Sequence, residues 1–339
     1  MTAVAPTIRE YRPDDEIAVL RLLEMALGSG RAFDRTSAFW RWKHFENPFG
    51  PSLMMLAANG EVCGLRAFLR WRFRAADRTI RAIRAVDTAT HPDYRRLGVF
   101  SSLTRQTVDR ARDEGVDLIF NTPNPISLRG YLKLGWTLVG RPSLLVRPVR
   151  PLRIARALLG RGHLESGADA VQSPAVPAGE WLRGDVDALL EQDDRQRAGW
   201  IRTSRSADYL RWRYARVPSL AYFACWLGGH HALEAAVIFR CHRRRGLREV
   251  RLCEVLVRRA SGQVPALVRR VLAAADADYL VAYAPRRSAH WWGLVRAGFV
   301  PVPRIGPFFT VRPLTPAGAE ISPERLGRWS LSLGDLELF

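Results

Sequence analysis

Residues 91–103 read HPDYRRLGVFSSL, and this stretch decides the fold. The segment before it, RAIRAVDTATH (81–91), is rich in alanine, valine and threonine and reads as a strand. After it, Ser101–Glu114 carries Leu103, Val108 and Ala111 at helical spacing, and Gly115 closes the helix before a short buried strand, VDLIF (116–120). A strand that turns through Arg95, Arg96 and Gly98 into a helix starting near Val99 leaves unpaired N–H groups and a positive dipole end at the turn. Gly98 lets a ligand approach the backbone and the arginines add charge, so the turn is a cradle for pyrophosphate. With no GxxxxGK[ST] and no GxGxxG, nucleoside triphosphates and dinucleotides are disfavoured.

Upstream, Thr7–Glu10 reads as a short strand, Pro13-Asp14-Asp15 marks a helix start, and a second helix covers Ser37–Phe45. MMLAANG (54–60) ends in an Asn-Gly turn and runs into EVCGLRAFLRWRF (61–73), a hairpin signal. Downstream, NTPNPISLRGYLKLGW (121–136) holds a short helix ended by Gly135. From about 142 the chain begins as an edge strand, passes through a basic helical piece, LRIARALLGR, and decays into a Gly/Ser/Pro/Ala linker up to about 180. The terminal RWSLSLGDLELF (328–339) alternates apolar and polar residues and reads as a closing strand or lid.

The 339 residues suffice for one large or two ordinary domains with a real core. No apolar run is long enough to span a bilayer and no secretion signal opens the chain, so a cytoplasmic protein is expected. The formal charge of +19 invites nucleic acid, yet the arginine excess is spread along the whole chain, with Lys43 and Lys133 the only lysines. An anionic small ligand and solvated basic faces account for it better than nucleic-acid binding does. Cys63, Cys225, Cys241 and Cys253 follow no metal or disulfide spacing and read as reduced thiols, and Cys63 sits in an early strand away from the cradle. His230, His231 and His242 lack a third ligand at a suitable spacing, so no metal is expected.

The chain also repeats itself. RTSAFWRWKHFENP (35–48) aligns without a gap on RSADYLRWRYARVP (205–218), matching Arg35 with Arg205, Arg41 with Arg211, Trp42 with Trp212 and Pro48 with Pro218. GYLKLGW (130–136) matches GLVRAGF (293–299) in the same order, so two copies of one fold are expected.

The residues around the cradle resemble the GNAT superfamily of acyl-CoA-dependent N-acyltransferases. Their Arg/Gln-x-x-Gly-x-Gly/Ala signature is met by Arg95-Arg96-Leu97-Gly98-Val99-Phe100, with Phe100 departing from the second small residue. Their downstream block is met by Asn124, Ser127, Tyr131, Gly135 and Trp136 with every spacing kept. The resemblance implies a mixed α/β protein of two GNAT-like domains, each a twisted, mostly antiparallel sheet flanked by helices. Residues 1–150 would bind the cofactor, 151–180 would be linker, and 181–339 a degenerate copy. That copy has Leu294 in place of Tyr131, and RRASGQVP replaces the cradle after its strand Val250–Val257.

The same resemblance implies a site. The turn from Arg95 to Ser101 (Arg95, Arg96, Leu97, Gly98, Val99, Phe100, Ser101) would hold the pyrophosphate of acetyl-CoA or another acyl-CoA. Backbone groups of Thr88, Ala89 and Thr90 would bind pantetheine and polarise the thioester, and Asn124 and Ser127 would contact the pantetheine or phosphate arm. Tyr131 would protonate the departing thiolate or hydrogen-bond the sulfur, and Asp87 would take the amine's proton. Without the family, Asp87 is a carboxylate that pairs with an arginine, and Asn124 and Ser127 are ordinary turn and helix-cap residues. The acceptor is expected to be a small-molecule amine. An amino sugar comes first, because the 121–136 block resembles GNAT proteins linked to bacterial surface polysaccharides. Alternatives are an aminoacyl-tRNA-dependent transferase of the paired-GNAT type and a non-enzymatic acyl-CoA-binding module. The Trp40/Trp42 and Trp291/Trp292 pairs read as core before acceptor groove.

Overall fold

A computed structural model of the protein describes residues 6–28, 36–160, 171–183, 185–229 and 232–337. In the first half, β1 (Thr7–Glu10), α1 (Glu16–Leu27) and α2 (Ser37–His44) precede three long strands, β2 (Leu53–Asn59), β3 (Glu61–Ala75) and β4 (Arg78–Thr90). Then come α3 (Val99–Asp113), β5 (Leu118–Asn121), α4 (Pro125–Lys133), β6 (Thr137–Gly140), β7 (Leu144–Pro148) and α5 (Pro151–Leu158). The second half holds β8 (Val176–Pro177), α6 (Ala178–Trp181), α7 (Asp187–Gln196), β9 (Arg202–Thr203), α8 (Ala207–Leu210) and β10 (Phe223–Gly229). It continues with β11 (Ala232–Arg244), β12 (Leu247–Val257), α9 (Ala260–Ala274), β13 (Tyr279–Ala282) and α10 (Ala289–Arg296). It ends with β14 (Val300–Val302), β15 (Phe309–Pro313), α11 (Pro316–Glu320) and α12 (Leu333–Leu336).

Two mixed sheets result, and they are built on one plan. The first runs β1-β2-β3-β4-β5-β15-β6, with β9 beside β3, and the second β8-β10-β11-β12-β13-β7-β14. Each copy has therefore given its last strand to the other sheet. β15 lies between β5 and β6, and β7 lies between β13 and β14. The exchanged strands carry the same short sequence, Val146-Arg147-Pro148 and Val311-Arg312-Pro313. Arg312 lies against Gly135 and Arg147 against Gly298, so each donated arginine meets the corresponding glycine of the other copy. Residues from 142 on thus form an interior strand, not the expected edge strand. A cut near 150 separates the two repeats but not the two sheets, because neither sheet is complete without its neighbour's strand.

The core follows the exchange. One cluster of buried side chains takes Trp42, Phe73 and Phe120 from the first half together with Tyr209, Trp212, Phe309 and Trp329 from the second. Separate clusters lie between the first sheet and α3/α4 (Ile83, Val108, Ile119, Tyr131, Trp136) and between the second sheet and α9/α10 (Val250, Val264, Leu280, Leu294). The repeat's tryptophans fill the shared core. Trp42 and Trp212 stack at 5.2 Å, whereas Trp292 stays half exposed at the surface. Arg35, His230, His231 and linker residues 161–170 lie outside the described residues.

Residues 328–339 were expected to form a strand or lid. Their described part instead bonds Ser330 to Ile201, winds into the four-residue α12, and is buried from Ser330 to Glu337. Ser332 and Asp335 make a capping box, and Gly334 presses against Tyr214 and the backbone of Cys253, where a Cβ would be only 2.1 Å from the Tyr214 hydroxyl. Alternation failed here because the tail crosses the second sheet's face and pairs with no full strand.

Candidate active site

The turn before α3 forms as its sequence requires. Eight residues, 91–98, separate β4 from α3, and the turn needs left-handed backbone at Arg96 (φ 67°) and Gly98 (φ 78°). A glycine takes that conformation without strain. None of the N–H groups from Arg96 to Ser101 has a partner among the described residues. Arg95, Arg96 and Leu97 are exposed, and a Cβ on Gly98 would meet nothing within 4 Å, so the approach to these donors is open. The Phe100 ring packs edge-on to Tyr131 at 5.9 Å and reaches Gly130, leaving its backbone free at the turn. Val99 anchors the helix start against Leu103 and Cys63, so the thiol expected away from the cradle lies beneath it. Cys63 Sγ donates to the Ala57 carbonyl, and burial pushes the thiol up, away from nucleophilic use.

A cavity of about 380 Å³ opens where two strands part. β4 and β5 pair in parallel only as far as Arg84 and Phe120. Beyond that point Ala85–Thr88 form one bank and Asn121–Asn124 the other, with Ser127 and Tyr131 behind and α1 and α2 above. Ala89 turns into the core and neither it nor Thr90 lines the cavity; both remain paired with β3. Asn124 caps α4 by accepting from the Ser127 amide at 2.8 Å, and both side chains face the cavity rim.

Asp87 is the extra residue of a β-bulge, where Arg66 pairs with Thr88 and Ala67 with Val86, and its φ of 22° aims it out of the ladder. Its Oδ2 takes both the Lys43 ammonium at 2.6 Å and the His44 Nε2 at 3.1 Å. Oδ1 has no hydrogen bond among the described residues. Burial alone would raise the carboxyl, but Lys43 and then His44 outweigh it and hold Asp87 far below the ordinary aspartate value. Asp87 is thus a fixed carboxylate. His44 is held by Ser52 at its other ring nitrogen, and its burial keeps it neutral against the pull of Asp87.

Tyr131 is 5 % exposed and lines the cavity. Its hydroxyl oxygen accepts from Arg66 Nη1 at 2.8 Å, which leaves the phenolic proton for another acceptor. Arg66 is fully buried, its Nε and Nη2 have no hydrogen-bond partner, and its plane lies 4.4 Å from the Phe68 ring, with Phe100 and Tyr131 close by. Lys43, His44 and Arg66 escaped sequence reading. Each sits among apolar residues of a regular element, and only a cation at an inward position of β3 or α2 could have marked them.

The second copy holds the same scaffold shut. Its bulge lies opposite Ile238 and Phe239 and places Cys253 where the first copy has Asp87. Only residues 258–259 separate β12 from α9, so no cradle loop exists. Carried back at the same offset of 170, α1 falls on α7, and Leu20, Leu23 and Leu27 fall on Leu190, Asp193 and Arg197. Asp193 is fully enclosed with Arg197, Arg205 and His290, and the tail adds Ser332, whose hydroxyl donates to Glu254 at 2.8 Å. What is left of the opening is about 10 Å³.

No group of three or more His, Cys, Asp or Glu side chains is placed to hold a metal ion among the described residues, and no described helix is long and apolar enough to cross a membrane.

Residues 7–139 match the family model described as an acetyltransferase (GNAT) domain. Among solved structures, the chain resembles a GCN5-related N-acetyltransferase from Anabaena variabilis at TM-score 0.62 and 12 % identity, over 90 % of this chain and 72 % of that one. It resembles another from Kribbella flavida at 0.58 and 16 %, over 93 % and 73 %. A conserved protein of unknown function from Enterococcus faecalis V583 aligns at 0.58 and 11 %, over 91 % and 72 %. At these identities the likeness is one of fold. No curated protein matches the sequence.

Proposed function

We propose that this chain, whose residues 7–139 match the acetyltransferase (GNAT) domain, is an acyl-CoA-dependent N-acyltransferase of that superfamily. It moves an acyl group, acetyl in the first instance, from CoA to the amine of a small molecule by direct transfer in a ternary complex. The observation that carries this reading is the continuity of two features. An exposed turn whose N–H groups have no partner among the described residues, beside two arginines, is joined through Phe100, whose ring packs on Tyr131 at 5.9 Å, to a cavity with Tyr131 on its wall. The turn suits pyrophosphate, the parted strands suit a pantetheine arm, and the cavity suits the thioester and its acceptor.

In this reading the free backbone groups of β4 beyond Arg84 polarise the thioester carbonyl. Attack makes the amine nitrogen acidic, so even a weakly basic carboxylate receives its proton as the C–N bond forms; Asp87 would do so through Oδ1, since Lys43 and His44 hold Oδ2. Collapse of the tetrahedral centre breaks the C–S bond, and Tyr131 gives its proton to the sulfur while Arg66 steadies the phenolic oxygen. The second copy supplies β7's exchange partner and part of the shared core, and at the place equivalent to this cavity it leaves about 10 Å³. Incubation with acetyl-CoA and a panel of primary amines, followed by detection of free thiol, tests the reading. Amine-dependent thiol release supports it, and CoA release that no amine stimulates contradicts it.

A further inference from the structure

We infer that the acceptor is a primary amine on an apolar body, an alkyl or arylalkyl amine, and not the amino sugar expected from sequence. This rests on the acyltransferase reading for the position of the thioester, but the evidence is in the cavity walls. The wall formed by Asn124, Ser127 and Tyr131 is the one that leads toward the cradle and belongs to the cofactor arm. The opposite wall, on α1 and α2, is left to the acceptor. It consists of Leu20, Leu23, Leu27, Phe39 and Trp40, with the Asp87–Lys43 pair at its foot.

An amine whose nitrogen reaches Asp87 Oδ1 must lay the rest of its body on those leucines and rings. An alkyl chain or aromatic ring loses water-exposed apolar surface there and gains stability. A sugar would bring several hydroxyls to a face whose described side chains on α1 and α2 offer no hydrogen bond apart from Thr36 at its margin, and each hydroxyl stripped of water without a partner costs affinity.

The molecule contains its own comparison. At the positions of Leu23 and Leu27 the closed copy carries Asp193 and Arg197, which bind each other and fill the space. Where the groove is shut the wall is charged and self-paired; where it is open the described wall residues are apolar. The apolar wall is therefore not a requirement of the fold, which accepts charged residues at the same positions.

The test measures binding and turnover separately. Ligand-observed NMR with phenethylamine, octylamine and glucosamine on the full chain reads the wall directly. The expected result is that the two apolar amines bind about 10- to 100-fold more tightly than glucosamine. The half-buried Leu27, replaced by arginine as in the closed copy (Leu27→Arg), should abolish that preference. Leu20→Ala, a milder change, should weaken octylamine several-fold while leaving glucosamine unchanged, and a melting curve verifies that each variant is folded. Equal or tighter binding of glucosamine, or an apolar preference that survives both substitutions, overturns the inference. Thiol release from acetyl-CoA with the same amines forms the second arm. Apolar amines that bind but stimulate no release leave the wall's selectivity standing and count against the acyltransferase reading alone.

Discussion

Trp42 and Trp212 hold each other by a reciprocal pair of hydrogen bonds: the Trp42 indole N–H donates to the Trp212 carbonyl at 2.8 Å, and the Trp212 indole to the Trp42 carbonyl at 2.9 Å. Their rings stack at 19°, and they are the matched tryptophans of the sequence repeat. Equivalent residues that meet in equivalent ways mark a local twofold axis, on which the two copies are joined. Trp212→Ala should cost about 3–5 kcal/mol, because it opens a cavity beneath a fully buried ring. Trp212→Phe should cost less, about 1–3 kcal/mol, for the stranded Trp42 carbonyl. Urea unfolding by fluorescence and circular dichroism checks both, and two variants of equal stability would contradict the pairing.

The exchange of β7 and β15 predicts that the repeats cannot be separated. Residues 1–150 alone lack β15, leaving β5 and β6 with unpaired edges and exposing Trp42 and Phe73. That fragment should be aggregated or loosely packed. Two pieces, divided between residues 160 and 171 and produced together, should copurify as a folded pair. A monomeric, cooperatively unfolding 1–150 fragment would contradict the exchange.

Tyr131→Phe should lower kcat about 100-fold or more with little change in the KM for acyl-CoA, since it removes a proton donor and leaves the packing against Trp136. Arg66→Gln should lower kcat less and also shift its pH profile, because Arg66 acts through the phenol. Steady-state thiol release measures both, and an unchanged kcat in Tyr131→Phe would remove the residue from the mechanism.

Acid should destabilise the protein in two stages. His44 and His290 have folded values lowered by burial, so their contribution is complete above the ordinary histidine value of about 6.5 and is lost as pH falls through the folded values. Asp87 and Asp193 are likewise lowered, against burial, by Lys43 and Arg197 in turn. Their contribution is complete above about 3.9 and is lost only in stronger acid. The midpoint of thermal unfolding should begin to fall below about pH 6.5 and drop more steeply below about pH 4. A midpoint that stays flat from pH 8 to pH 5 would contradict the neutral burial of the histidines.

Much of this was legible in the chain because it was written locally. HPDYRRLGVFSSL specifies a turn and a helix start by residue type alone, and the Asn124–Trp136 block keeps its spacing within one short helix. The tandem repeat was visible for the same reason. The strand exchange was not, since Leu144–Pro148 has the same alternation whichever sheet receives it, and partner choice is a long-range property. Nor was the state of Asp87. Whether a carboxylate is a base or half of an ion pair depends on Lys43 and His44, more than forty residues away and brought to it only by packing.

The central claim is that the turn at Gly98 opens an acyl-CoA site, and calorimetric titration with acetyl-CoA tests it most directly. Wild type should bind with a Kd on the order of micromolar, about −8 kcal/mol. Gly98→Ala adds a Cβ that meets nothing within 4 Å and should lose little beyond its backbone strain, whereas Gly98→Glu should lose binding through bulk and charge. Absence of binding by wild type, or equal binding by Gly98→Glu, would contradict the account.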